Sequence, residues 1–422
     1  MPVNIVLASI DCVRVDALRH RFFEKKQAIG SYYDTCITQA SFTSPSHTSM
    51  LSGLYPFNHG VRWLVNYETN SQLLQEILSE NGFNTAAFIG GFPLPTGNIS
   101  KGFDLYDDVN TITDEWEGRQ EFGPANILVN RAVDWLKDHQ GEDNFVFLHF
   151  FDLHFTFRSE FGKRDPPDFD DQHVYENVEQ YIGRQQQRYY DEADEIGRQL
   201  ELLDDLIEID TFVITGDHGS KMPYEHGYPW VYNQEGDRVG SHFRGADVYD
   251  NTVRVPLILD GDAFSDKTVH KQVRSIDIVP TLLDALDLEI PDVDGHSLLA
   301  NESSDRAYSE TYHGQLTKEN KFARDMNDRY EFGWSDLDSL VSLRTDDWKL
   351  ICTANEQLEP VELYHIAQDP AESRNLIDDE LEKADELFGE LSELLEEDDQ
   401  WAQTGETVSE SVQDRLDDLG YL

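Results

Sequence analysis

The stretch NIVLASI at residues 4–10 is a short run of mainly apolar residues that ends at Asp11. Such a run is typical of a strand buried on both faces of a parallel sheet. Two similar runs are also followed by aspartates: FVFLHFF at residues 145–151 is followed by Asp152, and TFVITG at residues 211–216 is followed by Asp217. Because open α/β sheets bind ligands beyond the carboxyl ends of their strands, we expect these carboxylates to lie at one crevice. The plainer interpretation of each aspartate alone is a turn former or a helix cap.

A hydroxyl-rich segment, QASFTSPSHTSMLSG at residues 39–53, supplies a candidate nucleophile. It predicts a helix start with Pro45 in the first turn. Unpaired N–H groups and the positive dipole end favour oxyanions there, so a hydroxyl at this point can attack a bound ester. A Ser- or Thr-capped helix without any chemistry is the alternative. The side chains that we predict around one divalent cation, as a mixed oxygen and imidazole shell, are Asp11, Thr43, Asp217 and His218.

The chain organisation predicts an α/β fold, with a mostly parallel sheet sandwiched by helices and a small C-terminal α+β subdomain. We expect a catalytic domain over residues 1–300 and a subdomain over residues 301–422, joined by an exposed linker at residues 295–304. The subdomain is expected to hold a small antiparallel sheet, with paired strands at residues 342–344 and 349–351, and an acidic helix at residues 379–397. In the catalytic domain, helices are predicted at residues 72–81, 126–139, 187–206 and 277–286.

Acidic residues dominate the composition, with Asp+Glu 83 against Lys+Arg 33 and a formal net charge of −50. Such a surface repels itself unless ions screen it, which predicts a halophilic protein of a salt-rich cytoplasm, as in halophilic archaea. An acidic disordered protein is excluded, because 39% hydrophobic residues with Trp 7, Tyr 18 and Phe 23 are ample for a core. Nucleic acid is not expected as a partner, since no basic patch is present to neutralise phosphates.

The cysteines and the hydropathy pattern predict a reduced, cytoplasmic location. Cys12, Cys36 and Cys352 are widely spaced and show no pattern of a disulfide framework or a zinc knuckle. The sequence begins without a charged, apolar leader and contains no stretch near the roughly 20 apolar residues of a membrane span.

Taken together, several segments resemble the sulfatase-like branch of the alkaline phosphatase superfamily, nearly from end to end. Each is weakly specific, but their ordered occurrence identifies the chain as similar to that family and implies its fold. The segments are SIDCVRVD (9–16), PSHTSMLSGLYP (45–56), HGV (59–61), DLH (152–154), GDHG (216–219), EHG (225–227), VRVPL (253–257), DIVPTLL (277–283), Arg344 with WKL (348–350), ELY (362–364) and DPAESRNL (369–376).

Three departures from the family pattern bear on mechanism. Thr43 stands where formylglycine sulfatases carry the modified Cys or Ser, and His47 stands at the arginine position of that motif. Because threonine is not oxidised to formylglycine, the resemblance implies a direct threonine nucleophile, as in the family's phosphodiesterases and phosphoglycerol and phosphoethanolamine transferases. Cys12 replaces a metal-binding aspartate and is expected to be a packed small side chain. His218 replaces an asparagine of calcium-dependent members, which favours zinc or manganese over calcium.

The resemblance also implies the chemistry. A divalent cation, whether zinc, manganese, magnesium or calcium, would assist formation of a covalent Thr43 ester from a phosphate or sulfate ester. His154 would contact the anion or protonate the leaving group. A second histidine on the leaving-group side would be His242 or, less strongly, His226. Asp152 would be a ligand of a second metal, together with His154 and His242. The expected substrate is a small-molecule, glycan or lipid-headgroup ester, with phosphoryl chemistry favoured. A sulfatase acting on a glycan or glycolipid and a non-catalytic binding protein remain as alternatives.

Overall fold

The structure is a computed structural model that describes residues 2–62, 68–91, 98–108, 123–154, 178–222, 231–232, 238–240, 247–264, 267–300, 304–311, 339–354 and 358–395. The strands in chain order are β1 (Asn4–Ile10), β2 (Ser31–Ile37), β3 (Asn84–Ile89), β4 (Leu105–Asp107), β5 (Asn144–Phe150), β6 (Thr211–Thr215), β7 (Val231–Tyr232), β8 (Arg238–Gly240), β9 (Arg254–Gly261), β10 (Lys267–Val269), β11 (Val273–Arg274), β12 (Ala307–Glu310), β13 (Leu340–Arg344), β14 (Lys349–Ala354) and β15 (Leu358–Tyr364). The α-helices are α1 (Arg21–Ile29), α2 (Thr43–Ser52), α3 (Pro56–His59), α4 (Leu74–Glu80), α5 (Ala125–Asp138), α6 (Val178–Leu206), α7 (Asp250–Val253), α8 (Ile278–Ala285) and α9 (Leu381–Leu394).

The central sheet has the order β10-β2-β9-β6-β1-β5-β3-β4, and β11 also pairs with β2. Within it, β9 runs antiparallel to its two neighbours and the remaining pairs are parallel. This is the mostly parallel α/β sheet that the sequence predicts. The two central strands β1 and β5 are fully buried over almost their whole length, as expected for strands covered on both faces.

Helices cover both faces of this sheet. Side chains of α1, α5 and α6 pack on one face with Val6, Ala8 and Ile10 of β1. On the other face, side chains of α2, α4 and α8 pack with Ile5 and Leu7 of the same strand. The alternation of β1 side chains between two hydrophobic clusters places the sheet in the middle of a three-layer sandwich.

A smaller antiparallel sheet, β12-β13-β14-β15, lies in the C-terminal part together with α9. Its strand β12 contacts the N-terminal part of the chain, because Glu310 donates its backbone N–H to Gln39 O at 3.0 Å and its carbonyl accepts from Ser41 N at 3.2 Å. The small C-terminal subdomain is therefore present, and its first strand adjoins the segment that leads into α2.

The predicted exposed linker at residues 295–304 is wrong at its beginning. Gly295 is buried, and its N–H donates to Gly53 O at 3.0 Å, just after α2. A Cβ at Gly295 would lie 2.0 Å from Ile276 O, so only glycine permits this close approach. Leu298 N donates to Thr281 Oγ1 at 2.9 Å, which continues the packing onto α8.

Candidate metal centre and nucleophile

The predicted site residues converge at the carboxyl ends of β1 and β6. These strands are parallel neighbours, with Ser9 opposite Thr215, so Asp11 and Asp217 leave the sheet side by side. Helix α2 begins at Thr43 above this edge. Its N-cap residue is Phe42, which makes no capping side-chain hydrogen bond, so the alternative of a Ser- or Thr-capped helix does not describe this helix start.

The Thr43 hydroxyl faces the first carboxylate. Thr43 Oγ1 donates to Asp11 Oδ2 at 3.1 Å, and both side chains are buried. On the next strand, Asp217 Oδ1 accepts from His218 N at 2.7 Å and from Cys12 N at 3.2 Å. Cys12 has a φ of 61°, a left-handed conformation that is uncommon for a residue with a side chain. This turn connects the Asp11 segment directly to the Asp217 carboxylate.

The hydrogen bonds of His218 fix its tautomer. Its Nδ1 lies 2.9 Å from Gly219 O, and because a carbonyl only accepts, Nδ1 carries the proton. In the neutral imidazole, Nε2 then presents a lone pair, and it lies 3.6 Å from Asp217 Oδ2. Two acceptor atoms thus face each other inside the protein, an arrangement that a cation between them would stabilise.

The two carboxylates have opposite pKa shifts. Burial alone opposes ionisation of Asp11, but the neighbouring His154, His149 and His218 outweigh burial and hold the pKa of that carboxyl far below its usual range. Burial and then the charge of Asp11 raise the pKa of Asp217 to about 6. Two carboxylates that share a buried site repel each other, so one ionises readily and the other resists.

Three polar side chains to which the sequence analysis gave no role, Ser46, His47 and Ser9, form hydrogen bonds that support this site. Ser46 Oγ donates to the carbonyl of Asp217 at 2.6 Å. His47 Nδ1 donates to Thr43 O at 2.8 Å, and His47 Nε2 accepts from Ser9 Oγ at 2.8 Å. Burial and the adjacent His149 lower the pKa of His47 to about 3, so this imidazole is neutral. The residue at the family's arginine position therefore supports the backbone of Thr43 and offers no positive charge.

His149 is the second histidine that sequence reasoning missed. It lies in β5, is completely buried, and has Nε2 3.5 Å from Asp11 Oδ2. Its ring also contacts His47, with centroids 4.9 Å apart. The sequence signal for it was a histidine inside an otherwise apolar strand. Because a buried polar side chain needs a partner, such a histidine indicates a polar neighbour or a ligand.

The structure places His154 beside the same cluster. Its ring stacks on Phe151 at 4.3 Å, and a ring nitrogen, an oxygen of Asp11 and Cys12 Sγ lie within 4.8 Å of one another. Cys12 is buried in a hydrophobic cluster, and its Sγ also lies 3.8 Å from His218 Nδ1. Asp152 does not join this group; its Oδ1 accepts from Ala125 N at 3.2 Å at the start of α5. The predicted His242 and His226 lie outside the described residues.

The donor set fits a divalent cation. Ligand atoms of Asp11, Asp217 and His218 lie within 4.8 Å of one another, and all three side chains are buried. Within the part of the chain that the structure describes, Asp11 Oδ1 and Asp217 Oδ2 have no hydrogen-bond partner. Buried carboxylate oxygens without partners are destabilising unless a proton or a cation balances them, so the site has the chemistry of a cation pocket.

Comparison with protein families identifies the chain. The family described as Sulfatase matches residues 17–288, well over half of the sequence. The chain belongs to the sulfatase family. A second family, described as the C-terminal region of N-sulphoglucosamine sulphohydrolase, matches residues 241–400. Sulfatase-family proteins are ester hydrolases that generally use a divalent metal, which agrees with the donor set of Asp11, Asp217 and His218.

Curated relatives and solved structures agree with this assignment. The chain is 29% identical to the uncharacterised sulfatase YidJ of Escherichia coli K12 over 44% of its length, and 29% identical to mouse arylsulfatase K over 41%. These matches span 32% and 28% of the two relatives, about a third of their length.

Similar folds occur in BT4656, solved with its substrate D-glucosamine-2-N,6-O-disulfate, and in the phosphonate monoester hydrolase of Agrobacterium radiobacter. The first has a TM-score of 0.68 at 18% identity, covering 96% of this chain and 100% of that one. The second has a TM-score of 0.65 at 16% identity, covering 93% and 95%. At these identities the likeness shows the fold alone. No helix in the described ranges is long and apolar enough to cross a membrane.

Proposed function

We propose that this sulfatase-family protein is a metal-dependent hydrolase or transferase that cleaves a phosphate ester through a covalent Thr43 intermediate, with phosphodiesters favoured. The observation that carries the proposal is the hydroxyl of Thr43, which donates to Asp11 inside a buried cluster of acceptor atoms. Threonine cannot supply the formylglycine on which other members of the family depend, so its own hydroxyl is the available nucleophile.

Each step of the proposed reaction is assigned to side chains of this protein. The hydrogen bond to Asp11 orients Thr43 Oγ1 and gives its proton an acceptor. Oγ1 forms a bond to phosphorus as the bond to the leaving oxygen breaks, and His154 donates a proton to that oxygen. Water or an acceptor alcohol then resolves the Thr43 ester. His47 and Ser46 keep α2 and the Asp217 loop in register throughout.

Asp11, Thr43, Asp217 and His218 would hold the divalent cation. When bound, this cation supplies Lewis-acid stabilisation of negative charge on the nucleophile and on the ester oxygens. The imidazole of His218 among carboxylates favours zinc or manganese over magnesium or calcium.

Sulfate-ester hydrolysis is the second candidate function, and the match to the Sulfatase family over residues 17–288 favours it. BT4656 is described with a sulfated glucosamine as its substrate, which makes a sulfated glycan the corresponding substrate class here. The retained cluster around Asp11 and Thr43 supports either reaction over a non-catalytic binding role. We also propose that the substrate carries a glycan or a lipid headgroup, that a domain boundary lies at residue 300, and that the protein works in a salt-rich cytoplasm.

Turnover measurements with one preparation in molar potassium chloride test the choice between these functions. The substrates are an aryl phosphate monoester, an aryl phosphate diester and an aryl sulfate, each with added Zn²⁺, Mn²⁺, Mg²⁺ or Ca²⁺. We expect the phosphodiester to show the highest kcat/KM with zinc or manganese. A higher kcat/KM for the aryl sulfate would establish the second function. Metal binding without any turnover would leave the non-catalytic role.

A further inference from the structure

His149 has an environment that the roles assigned so far do not explain. Its side chain is fully buried at the end of β5, beside the Asp11 segment of β1. Neither ring nitrogen has a hydrogen-bond partner among the described residues. Leaving a buried polar atom unpaired destabilises a protein, so an imidazole in this position needs a ligand or another source of compensation.

The nearest polar atom belongs to the candidate cation site. His149 Nε2 lies 3.5 Å from Asp11 Oδ2, too far for a good hydrogen bond. Two ligands bound at about 2.1 Å to one ion, with a ligand–metal–ligand angle near the tetrahedral value, are about 3.4 Å apart, which is close to the spacing seen here. The facing pair on the other strand, His218 Nε2 and Asp217 Oδ2, has a separation of 3.6 Å, close to the same value.

The adjacent histidine cannot take this role. Both nitrogens of His47 are already used, one by Thr43 O and the other by Ser9 Oγ. A ligand atom of His149 also lies within 4.8 Å of one from Asp217. Of His47 and His149, His149 alone therefore has a lone pair available to a cation near both carboxylates.

We propose that His149 Nε2 is a further ligand of the cation held by Asp11, Asp217 and His218. This inference rests on the proposed metal-dependent function, and it deepens that function by naming the residue that selects the metal. Two imidazoles with two carboxylates make the site softer than an all-oxygen shell. His149 therefore sets the preference for zinc or manganese over magnesium and calcium.

Metal binding by purified full-length protein in molar potassium chloride tests this proposal without any substrate. Bound zinc, manganese and calcium are measured by equilibrium dialysis for the wild type and for His149→Asn, Asp217→Ala and His59→Gln. His59 is a buried histidine whose Nε2 hydrogen-bonds Ser49 at 2.9 Å, and it provides the matched control. We expect His149→Asn to weaken zinc binding by at least about 100-fold, since even outer partners of a metal site contribute 10–100-fold. His59→Gln should bind as the wild type does, and calcium binding should change little in His149→Asn.

The zinc-loaded wild type provides a second measurement that does not depend on the folding of a variant. X-ray absorption at the zinc edge counts imidazole ligands, and we expect two. One imidazole, or unchanged zinc affinity in folded His149→Asn while Asp217→Ala loses the metal, would overturn the role of His149 alone. Unchanged metal affinity in Asp217→Ala would instead overturn the cation site on which the proposed function rests.

Discussion

At the scale of single residues, the two aspartates of the site have different proton affinities although they are chemically identical. Asp11 stays ionised because the histidines around it outweigh its burial, whereas burial and the charge of Asp11 raise the pKa of Asp217 to about 6. The Asp217 carboxylate is therefore the group on which protons and a divalent cation compete at mildly acidic pH.

We expect zinc affinity to fall as the pH decreases through about 6, the folded-state pKa of Asp217. Below that pKa the carboxyl is protonated, and a cation must displace the proton, so affinity should drop by at least about tenfold per pH unit. Dialysis against buffered zinc between about pH 5 and about pH 7.5 measures this slope. Asp217→Asn should bind weakly at every pH. An affinity that is constant over the range would contradict the assignment of Asp217 as a ligand.

Sequence reasoning could locate some of these residues but not others. Asp11 and Asp217 follow from strand ends, which have a direct signature in the sequence. The helix start offers several hydroxyls, and the family resemblance, which puts the nucleophile two residues before Pro45, selects Thr43 among them. His149 could not be assigned, since both faces of a doubly buried strand are apolar and the pattern does not show which face meets the site. The pairing of His47 with Thr43 required knowledge that the helix begins at Thr43, which sets the four-residue spacing between them.

At the scale of elements, a buried charge network joins α7 to the C-terminal sheet. Asp250 accepts from Arg344 of β13 at 2.8 Å and from Lys349 of β14 at 3.0 Å. Lys349 also contacts Glu372 at 2.9 Å, and Glu372 accepts from Asp250 N at 2.6 Å. Burial raises the pKa of Glu372 to about 7, with Lys349 opposing and Asp250 adding to the shift.

This network predicts a pH-dependent stability. The folded-state pKa of Glu372 exceeds its ordinary value of 4.5, so its contribution to the free energy of unfolding is full below about 4.5 and is lost as pH rises through about 7. We expect Glu372→Gln to flatten the decrease in melting temperature between about pH 5 and about pH 8, because glutamine keeps an acceptor for Asp250 N without titrating. The exposed Glu359→Gln is the control and should retain the wild-type slope. Equal slopes in all three proteins would show that Glu372 is ionised throughout.

The elements themselves were predicted unevenly. Strand β1 and the strand before Asp217 follow from short apolar runs, and the structure has them at Asn4–Ile10 and Thr211–Thr215. Helix α6 begins at Val178, nine residues before the predicted residue 187, because its first turns lack a clear apolar period. The prediction of an exposed linker was wrong at Gly295, because a glycine is typical both of flexible chain and of close packing, and only the folded structure distinguishes the two.

At the scale of the whole molecule, the net charge of −50 dominates the behaviour in solution. Acidic side chains exceed basic ones by 50, and the mutual repulsion of the excess negative charge opposes the compact state. Screening length falls from about 10 Å at 0.1 M salt to about 3 Å at 1 M, which removes most of this repulsion.

We therefore expect the melting temperature to rise steeply with potassium chloride concentration, by at least about 5 °C between 0.1 M and 1 M, since a few kcal/mol shifts a protein of this size by that amount. Differential scanning calorimetry over a salt series measures the change. Sucrose is the matched control, because it stabilises compact proteins without screening charge. A melting temperature that stays flat in salt, or that rises equally in sucrose, would contradict the halophilic interpretation.

The central claim is that Thr43 carries the covalent intermediate, and mass spectrometry of enzyme quenched during turnover of an aryl phosphodiester tests it most directly. We expect a phosphoryl-type adduct on the peptide that contains Thr43, and no aldehyde in that peptide. Thr43→Ala should lose the adduct and essentially all turnover. Ser44→Ala is the control, since Ser44 is also buried but its Oγ has no hydrogen-bond partner in the described structure, and this variant should keep both the adduct and turnover. An active Thr43→Ala protein, or an adduct on a neighbouring serine, would contradict the mechanism.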